Sequence, residues 1–268
     1  MHLWRYSAMI LIGVGGVAGC GPNDKTGVET AATKDQPSKE QIENAKPATT
    51  PRILSETHLA AGRMLEQQGD SKGAIGQYEK AIAANPRQAA AYNSLGMLYQ
   101  KIGRAPDAEI IYRRGIQIAP GWAVLRNNLG YCYLTQERFA EAEREFREAL
   151  STAPDFKRAR MNLAITLAQT GREEESLQEF GVVVSADAAY YNLAMIRAGQ
   201  RDYRGAEAAL LEALAINTDC PAAKAQLQKV RVLARGGGGK IPDTKTQADK
   251  GQVLAGGTEE KDDTQTGN

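Results

Sequence analysis

Pro86, Pro120 and Pro154 stand 34 residues apart. The same step joins Gly62, Gly96 and Gly130 and reaches Ala164. It joins Ala74, Ala108 and Ala142 and reaches Ser176, and it joins Tyr78, Tyr112, Phe146 and Phe180. Four columns on one period require a chain built by stacking one supersecondary unit. A unit this small cannot bury its own apolar face and must cover it with its neighbours. Stretches such as AAAYNSLGMLYQKIG and AVLRNNLGYCYLTQE place apolar residues at i, i+3, i+4 and i+7, which is helical phase. They are rich in alanine and straight-chain residues, which lose little entropy in a helix. The prolines fall just after a helix end, where a missing N–H stops propagation. Gly69, Gly103 and Gly171 fall in the turn inside a unit, where a left-handed residue caps cheaply. The unit is a helix pair, and the fold class is all-α.

The unit carries Leu-Gly in its first helix, a tyrosine three residues later, then Ala, Tyr or Phe, Ala and Pro. This pattern resembles the tetratricopeptide repeat (TPR). The segment AAAYNSLGMLYQKIGRAPDAEIIYRRGIQIAP matches almost throughout, with Gly115 in place of the last alanine. The resemblance implies a right-handed α-solenoid of about five helix pairs over residues 53–235. The repeats fall at about 55–88, 89–122, 123–156, 157–186 and 187–220, with a capping helix at 221–235. Some positions depart from the family. Its large aromatic near the start of the first helix is Tyr92 and Tyr190 in two repeats, but His58, Arg126 and Arg160 in the others. The fourth repeat is four residues short and lacks a closing proline, which is expected to change the stacking angle between repeats four and five. Repeat five ends in Asn217-Thr218 instead of proline, as suits a terminal unit with no neighbour.

The chain opens MHLWRYSAMILIGVGGVAGC. Arg5 supplies a basic start, and an apolar run of roughly ten residues follows, too short to span a bilayer. Residues 1–19 read as a signal peptide. Val17-Ala18-Gly19-Cys20 resembles the bacterial lipobox, which implies that Cys20 becomes the lipidated mature N-terminus; a plain secretory signal or a short anchor with a chance cysteine is the alternative. Each buried methylene of a lipid chain contributes about 0.8 kcal/mol, so two or three chains would hold the protein on the membrane. Gly21 stands where an aspartate would signal inner-membrane retention, which points to the outer membrane, facing the periplasm. Residues 20–52 and 236–268 are polar, with few large apolar side chains to offset ordering entropy. They read as a tether, with a reach of roughly 30 Å, and a disordered tail.

Signals for catalysis are sparse. The two histidines, His2 and His58, are too few for most His-based sites, and Cys20, Cys132 and Cys220 form no CxxC. No metal, cofactor or nucleic-acid partner is implied, the formal net charge being only +1. Carboxylates alternate with arginines at i,i+4 spacing, as Glu143 and Arg147 do, which reads as a solvated face and not an acid–base dyad. Cys132 is expected to be a buried, inert thiol. Cys220, at a helix junction, is expected to be more exposed, and a Cys132–Cys220 bridge is discounted.

What remains is the groove that stacked first helices form in this family. Carried over, its inward positions are Asn93, Asn127, Asn128, Asn162 and Asn192, with Met97, Tyr131, Tyr191 and Met195; Arg63, Lys101 and Arg158 supply charge beside them. Asparagine amides both donate and accept, so they suit the backbone of an extended peptide. They could equally tie helices together, and both readings stay open here. The family implies protein or peptide partners and a non-catalytic scaffold in the bacterial envelope. The overall plan resembles TPR lipoproteins of tight-adherence and type IV pilus systems. The alternatives are a recruiter of cell-wall or outer-membrane assembly enzymes, or a small-ligand-binding envelope protein.

Overall fold

The computed structural model of the protein describes residues 51–236. The expected leader, the lipid attachment at Cys20, nearly all of the tether and the tail lie outside the described residues. Regular structure within them is helical: α1 Pro51–Gln67, α2 Ser71–Ala84, α3 Ala89–Lys101, α4 Ala105–Ile118, α5 Ala123–Thr135, α6 Phe139–Thr152, α7 Lys157–Gln169, α8 Glu173–Gly181, α9 Ala186–Gly199, α10 Tyr203–Ile216 and α11 Pro221–Gly236. Consecutive helices pack on one another, giving five pairs and a closing helix. The first helix opens at Pro51, two residues inside the segment expected as tether. Proline is well placed there, since the first helical position needs no N–H partner.

Inside each pair the chain turns through one left-handed residue: Gly69 at φ 83°, Gly103 at 78° and Gly171 at 80°, as their positions imply. The other two repeats put Glu137 (φ 60°) and Arg201 (φ 65°) in the same place, where an L side chain is strained by about 1–2 kcal/mol. Asp70 and Asp202 then cap α2 and α10, their carboxylates accepting from the amides of Gly73 and Gly205. The intervening repeats have Arg104, Arg138 and Arg172 at that position; Arg104 pairs with Asp107 of its own helix at 2.8 Å, and the other two reach back to the preceding repeat. Arg138 bonds Glu109 at 2.7 Å and Glu141 at 2.6 Å. Arg172 bonds Glu143 at 2.8 Å and Glu175 at 2.6 Å. Glu143 also holds Arg147 at 2.8 Å. Burial pushes the Glu143 carboxyl up, but the hydrogen bonds from Arg172 and Arg147 outweigh it and hold the group below its ordinary range.

The glycine and aromatic columns meet face to face. A Cβ added at Gly62 would lie 2.4 Å from the Tyr78 ring, at Gly96 2.4 Å from Tyr112 and at Gly130 2.7 Å from Phe146. The ring therefore rests on bare backbone. In the fourth repeat Ala164 replaces the glycine, and Ser176, which replaces the small alanine, donates to the Ala164 carbonyl at 2.8 Å. Helix α8 has nine residues where the other second helices have fourteen, and Val183 and Val184 donate back to the Phe180 carbonyl to close it. The core divides at this place. Leu163 and Leu167 of α7 belong to a cluster running back to Leu59, while Ala164 and Ala168 belong to one running on to Val230.

The cysteines divide between expectation and correction. Cys132 is buried and free, and burial pushes its thiol up to about 11, so it stays protonated and unreactive at neutral pH. Cys220 is not exposed as expected: it is wholly buried in the second cluster, with its sulfur accepting from the Ala223 amide at the start of α11.

If the ring contact limits how closely each pair packs, Gly96→Ala will lower the unfolding free energy by about 1–3 kcal/mol, because overpacking exceeds the gain in helix propensity. Gly76→Ala, where a Cβ meets nothing within 4 Å, will raise it by roughly 0.5–1 kcal/mol. Urea titration of both variants checks this, and a Gly96→Ala protein as stable as the parent would refute the ring constraint.

Candidate partner groove

The asparagines on the first helices form a single hydrogen-bonded ladder. Asn162 Nδ2 donates to Asn127 Oδ1 at 3.0 Å, Asn127 Nδ2 to Asn128 Oδ1 at 3.1 Å, and Asn128 Nδ2 to Asn93 Oδ1 at 2.8 Å. Asn93 closes the run by donating to Met97 Sδ at 3.4 Å. The two rungs between repeats each span 35 residues, so an asparagine in one repeat finds the asparagine one position earlier in the repeat before. Asn127 and Asn162 are 1% and 4% exposed, and their amides are occupied by one another. This corrects their assignment to the partner surface: they tie helices together. Tyr191, also assigned to that surface, is buried in the second cluster.

Asn192 breaks the pattern. The place where its acceptor would stand, in the shortened fourth repeat, is taken by Met161. Its side chain is half-buried and makes no hydrogen bond among the described residues. It is the one groove asparagine left with a full amide to offer.

The residue following each member of the Gly62, Gly96, Gly130, Ala164 and Ala194 column forms a column of its own: Arg63, Met97, Tyr131, Ile165 and Met195. The sequence reading named four of these and missed Ile165, although the column itself marks it. Arg63 and Met97 are exposed, Met97 at 51%. Tyr131, Ile165 and Met195 are half-buried against the core, and Met161 joins them. Burial pushes the Tyr131 phenol above its ordinary range. Lys101 is committed to Glu66 of the preceding repeat at 3.2 Å, a partner the sequence reading also missed. Arg158 is exposed at the start of α7. Along this column the side chain is charged in the first repeat, exposed and apolar in the second, and half-buried and apolar in the last three. Among the described residues no group of three His, Cys, Asp or Glu is placed to hold a metal ion, and no helix is long and apolar enough to cross a membrane.

A stack of helix pairs with a lined groove defines a helical-repeat protein of the interaction-scaffold class. Models of the tetratricopeptide repeat match residues 62–103, 87–155, 127–190 and 187–220. Together they run unbroken over more than half of the chain, which belongs to the tetratricopeptide repeat family. Among solved structures, a TPR protein from Parabacteroides merdae ATCC 43184 is 15% identical, with 68% of this chain and 74% of that chain covered and a TM-score of 0.56. The MamA protein is 18% identical over 70% of this chain and 98% of its own, with a TM-score of 0.51. YrrB, described as a TPR protein with an unusual peptide-binding site, is 19% identical over 68% of this chain and 98% of its own, with a TM-score of 0.50. At these identities the likeness is one of fold. No curated protein sequence matches the chain.

Asn162→Ala leaves the buried Asn127 oxygen without a donor and is expected to lower stability by about 1–3 kcal/mol. Asn192→Ala should stay within about 0.5 kcal/mol of the parent. Thermal or urea unfolding of the two variants separates them, and equal losses would show that Asn192 is also structural.

Proposed function

We propose that the protein is a non-catalytic scaffold that binds an extended peptide segment of a partner protein in this groove. The observation that carries the reading is the combination at its C-terminal end. Part-exposed Tyr131, Met161, Ile165 and Met195 offer apolar surface on the first helices of the last three repeats, where Asn192 holds an unengaged amide. An amide that both donates and accepts pairs with the backbone of an extended chain, while the apolar surface takes alternate side chains. YrrB, whose described peptide-binding site sits on the same fold, supports the reading by analogy. The scaffold is proposed to stand in the bacterial envelope, anchored by lipid on Cys20, and to serve pilus or secretion-system assembly. That part rests on the lipobox and the overall plan of the sequence.

Peptides selected by phage display against the full chain are expected to be rich in apolar residues. Their affinity should fall by about tenfold in Asn192→Ala and in Met195→Ala, on the scale of one lost hydrogen bond or one truncated contact. Isothermal titration measures it, and affinities unchanged in both variants would place the interface elsewhere. For the anchor, Cys20→Ala should move the protein from the membrane fraction to the soluble fraction; retention on the membrane would sink the lipid anchor and leave the groove reading intact.

A further inference from the structure

The polar residues that stand in place of the family's aromatic share a local rule. Each finds a polar partner 19 residues on, in the second helix of its own repeat. His58 Nδ1 lies 2.7 Å from Gln77 Oε1, Arg126 3.3 Å from Glu145, and Arg160 2.8 Å from Glu179. Opposite Tyr92 and Tyr190 the same place holds Ile111 and Ala209. Arg160 is fully served, because it also donates to the Pro154 carbonyl at 2.8 Å, as Tyr92 Oη donates to the Pro86 carbonyl at 3.0 Å.

Arg126 is not served in this way. Its contact to Glu145 is long, that carboxylate is shared with Arg144 at 3.3 Å, and its Nε is buried without a partner. Arg197 also leaves its Nε unpartnered, but it holds two carboxylates, those of Glu173 and Asp202. Around Arg126 the surface opens into a hollow of about 220 Å³ between α4, α5 and α6. Arg113, Arg126, Arg144 and Glu145 wall it, and Ile116 and Leu129 supply its apolar side. Arg113 is engaged by Glu109 at 2.9 Å and by the Tyr133 hydroxyl at 2.8 Å. Arg126 and Arg144 are thus left to share the single carboxylate in the wall.

We propose that this hollow is a second binding site, which takes one carboxylate carried on a short apolar stem, such as an aspartate or glutamate side chain of a partner protein. The residual charge in the wall is that of one guanidinium, which matches a monoanion. The planar fork of Arg126, with its unused Nε, suits two oxygens in a plane. Ile116 and Leu129 suit methylenes and not a hydrated ion. At 100° per residue, Arg126 and Leu129 lie on the side of α5 opposite Tyr131, so this site is separate from the groove and does not rest on the groove reading.

The test uses the full chain, isotopically labelled, with monomethyl succinate as the carboxylate probe and inorganic phosphate as the comparison. Saturable shifts are expected at the Arg126 Nε–Hε and Leu129 amide signals, with affinity on the order of millimolar for so small a ligand. Arg144→Gln, a change at an exposed side chain, should weaken binding by about tenfold or more, the scale of one charged hydrogen bond. Arg126→Tyr, which restores the aromatic of the repeat, should abolish the Leu129 shift. Shifts that never saturate, an Arg144→Gln protein that binds like the parent, or phosphate binding as tightly as monomethyl succinate would each overturn the proposal.

Discussion

Each of the first three repeats depends on an aromatic ring lying against a residue with no side chain. Tyr78, Tyr112 and Phe146 sit on Gly62, Gly96 and Gly130 at distances that exclude even a methyl group. Glycine inside a helix costs about 1 kcal/mol in propensity. The buried ring offsets this, since an aromatic side chain removes 150–250 Å² from water. The contact also sets how far apart the two helices stand, and so where the next repeat can dock. Where the column turns to alanine the partner changes too: Phe180 stands on a shortened helix, and in the fifth repeat Leu210 takes the place of the ring. The core divides at that boundary.

Once the pairs are fixed, the repeats are joined to each other by polar contacts with their own spacing. Arg138 and Arg172 each reach back 29 residues to Glu109 and Glu143, while the asparagine rungs reach back 35. The arginines occupy the place where Asp70 and Asp202 cap their helices at the two ends of the stack. A cap stabilises its own helix by about 1 kcal/mol; an arginine there gives that up and couples two repeats instead. Both carboxylates are held below their ordinary range by these arginines, despite the opposing effect of burial. Their contribution is therefore present above the ordinary carboxylate pKa and fades as the pH falls through the lowered one. Coupling through these two pairs is therefore weaker in acid.

Much of this was legible from one sequence because a repeat displays its own tolerances. The period placed the helix pairs, the turn glycines and the closing prolines. The column of Met97, Tyr131 and Met195 was legible too, since they share one helical phase and none of them is fully buried. The roles of the asparagines were not. Asn127, Asn162 and Asn192 are the same side chain at neighbouring phases of the same kind of helix, and nothing local tells a rung from a free amide. The distinction lies between repeats, in whether a second asparagine stands 35 residues before or after. Cys220 was misread for a related reason: a residue before a helix reads as loop, yet its sulfur serves as the acceptor that starts α11. Ile165 was overlooked because its repeat departs from the family around it, although its column is intact.

The shortened fourth repeat connects these points. Four residues are missing between Ala164 and Ala194, and they remove the last part of the second helix and not the groove-lining first helix. At the position that would receive Asn192 the repeat has Met161, so the ladder ends at Asn162. The same methionine adds to the apolar surface formed by Tyr131, Ile165 and Met195. One substitution at a ladder position therefore does two things: it withdraws the internal acceptor from Asn192 and adds apolar surface to the first helices. In the first three repeats the polar groups of the groove satisfy each other and hold the stack together. In the last two the apolar cluster is joined by the Arg197–Glu173 and Gln200–Gln169 contacts, and Asn192 stands outside the ladder. The division of the core and the end of the asparagine ladder fall together at the same irregular repeat.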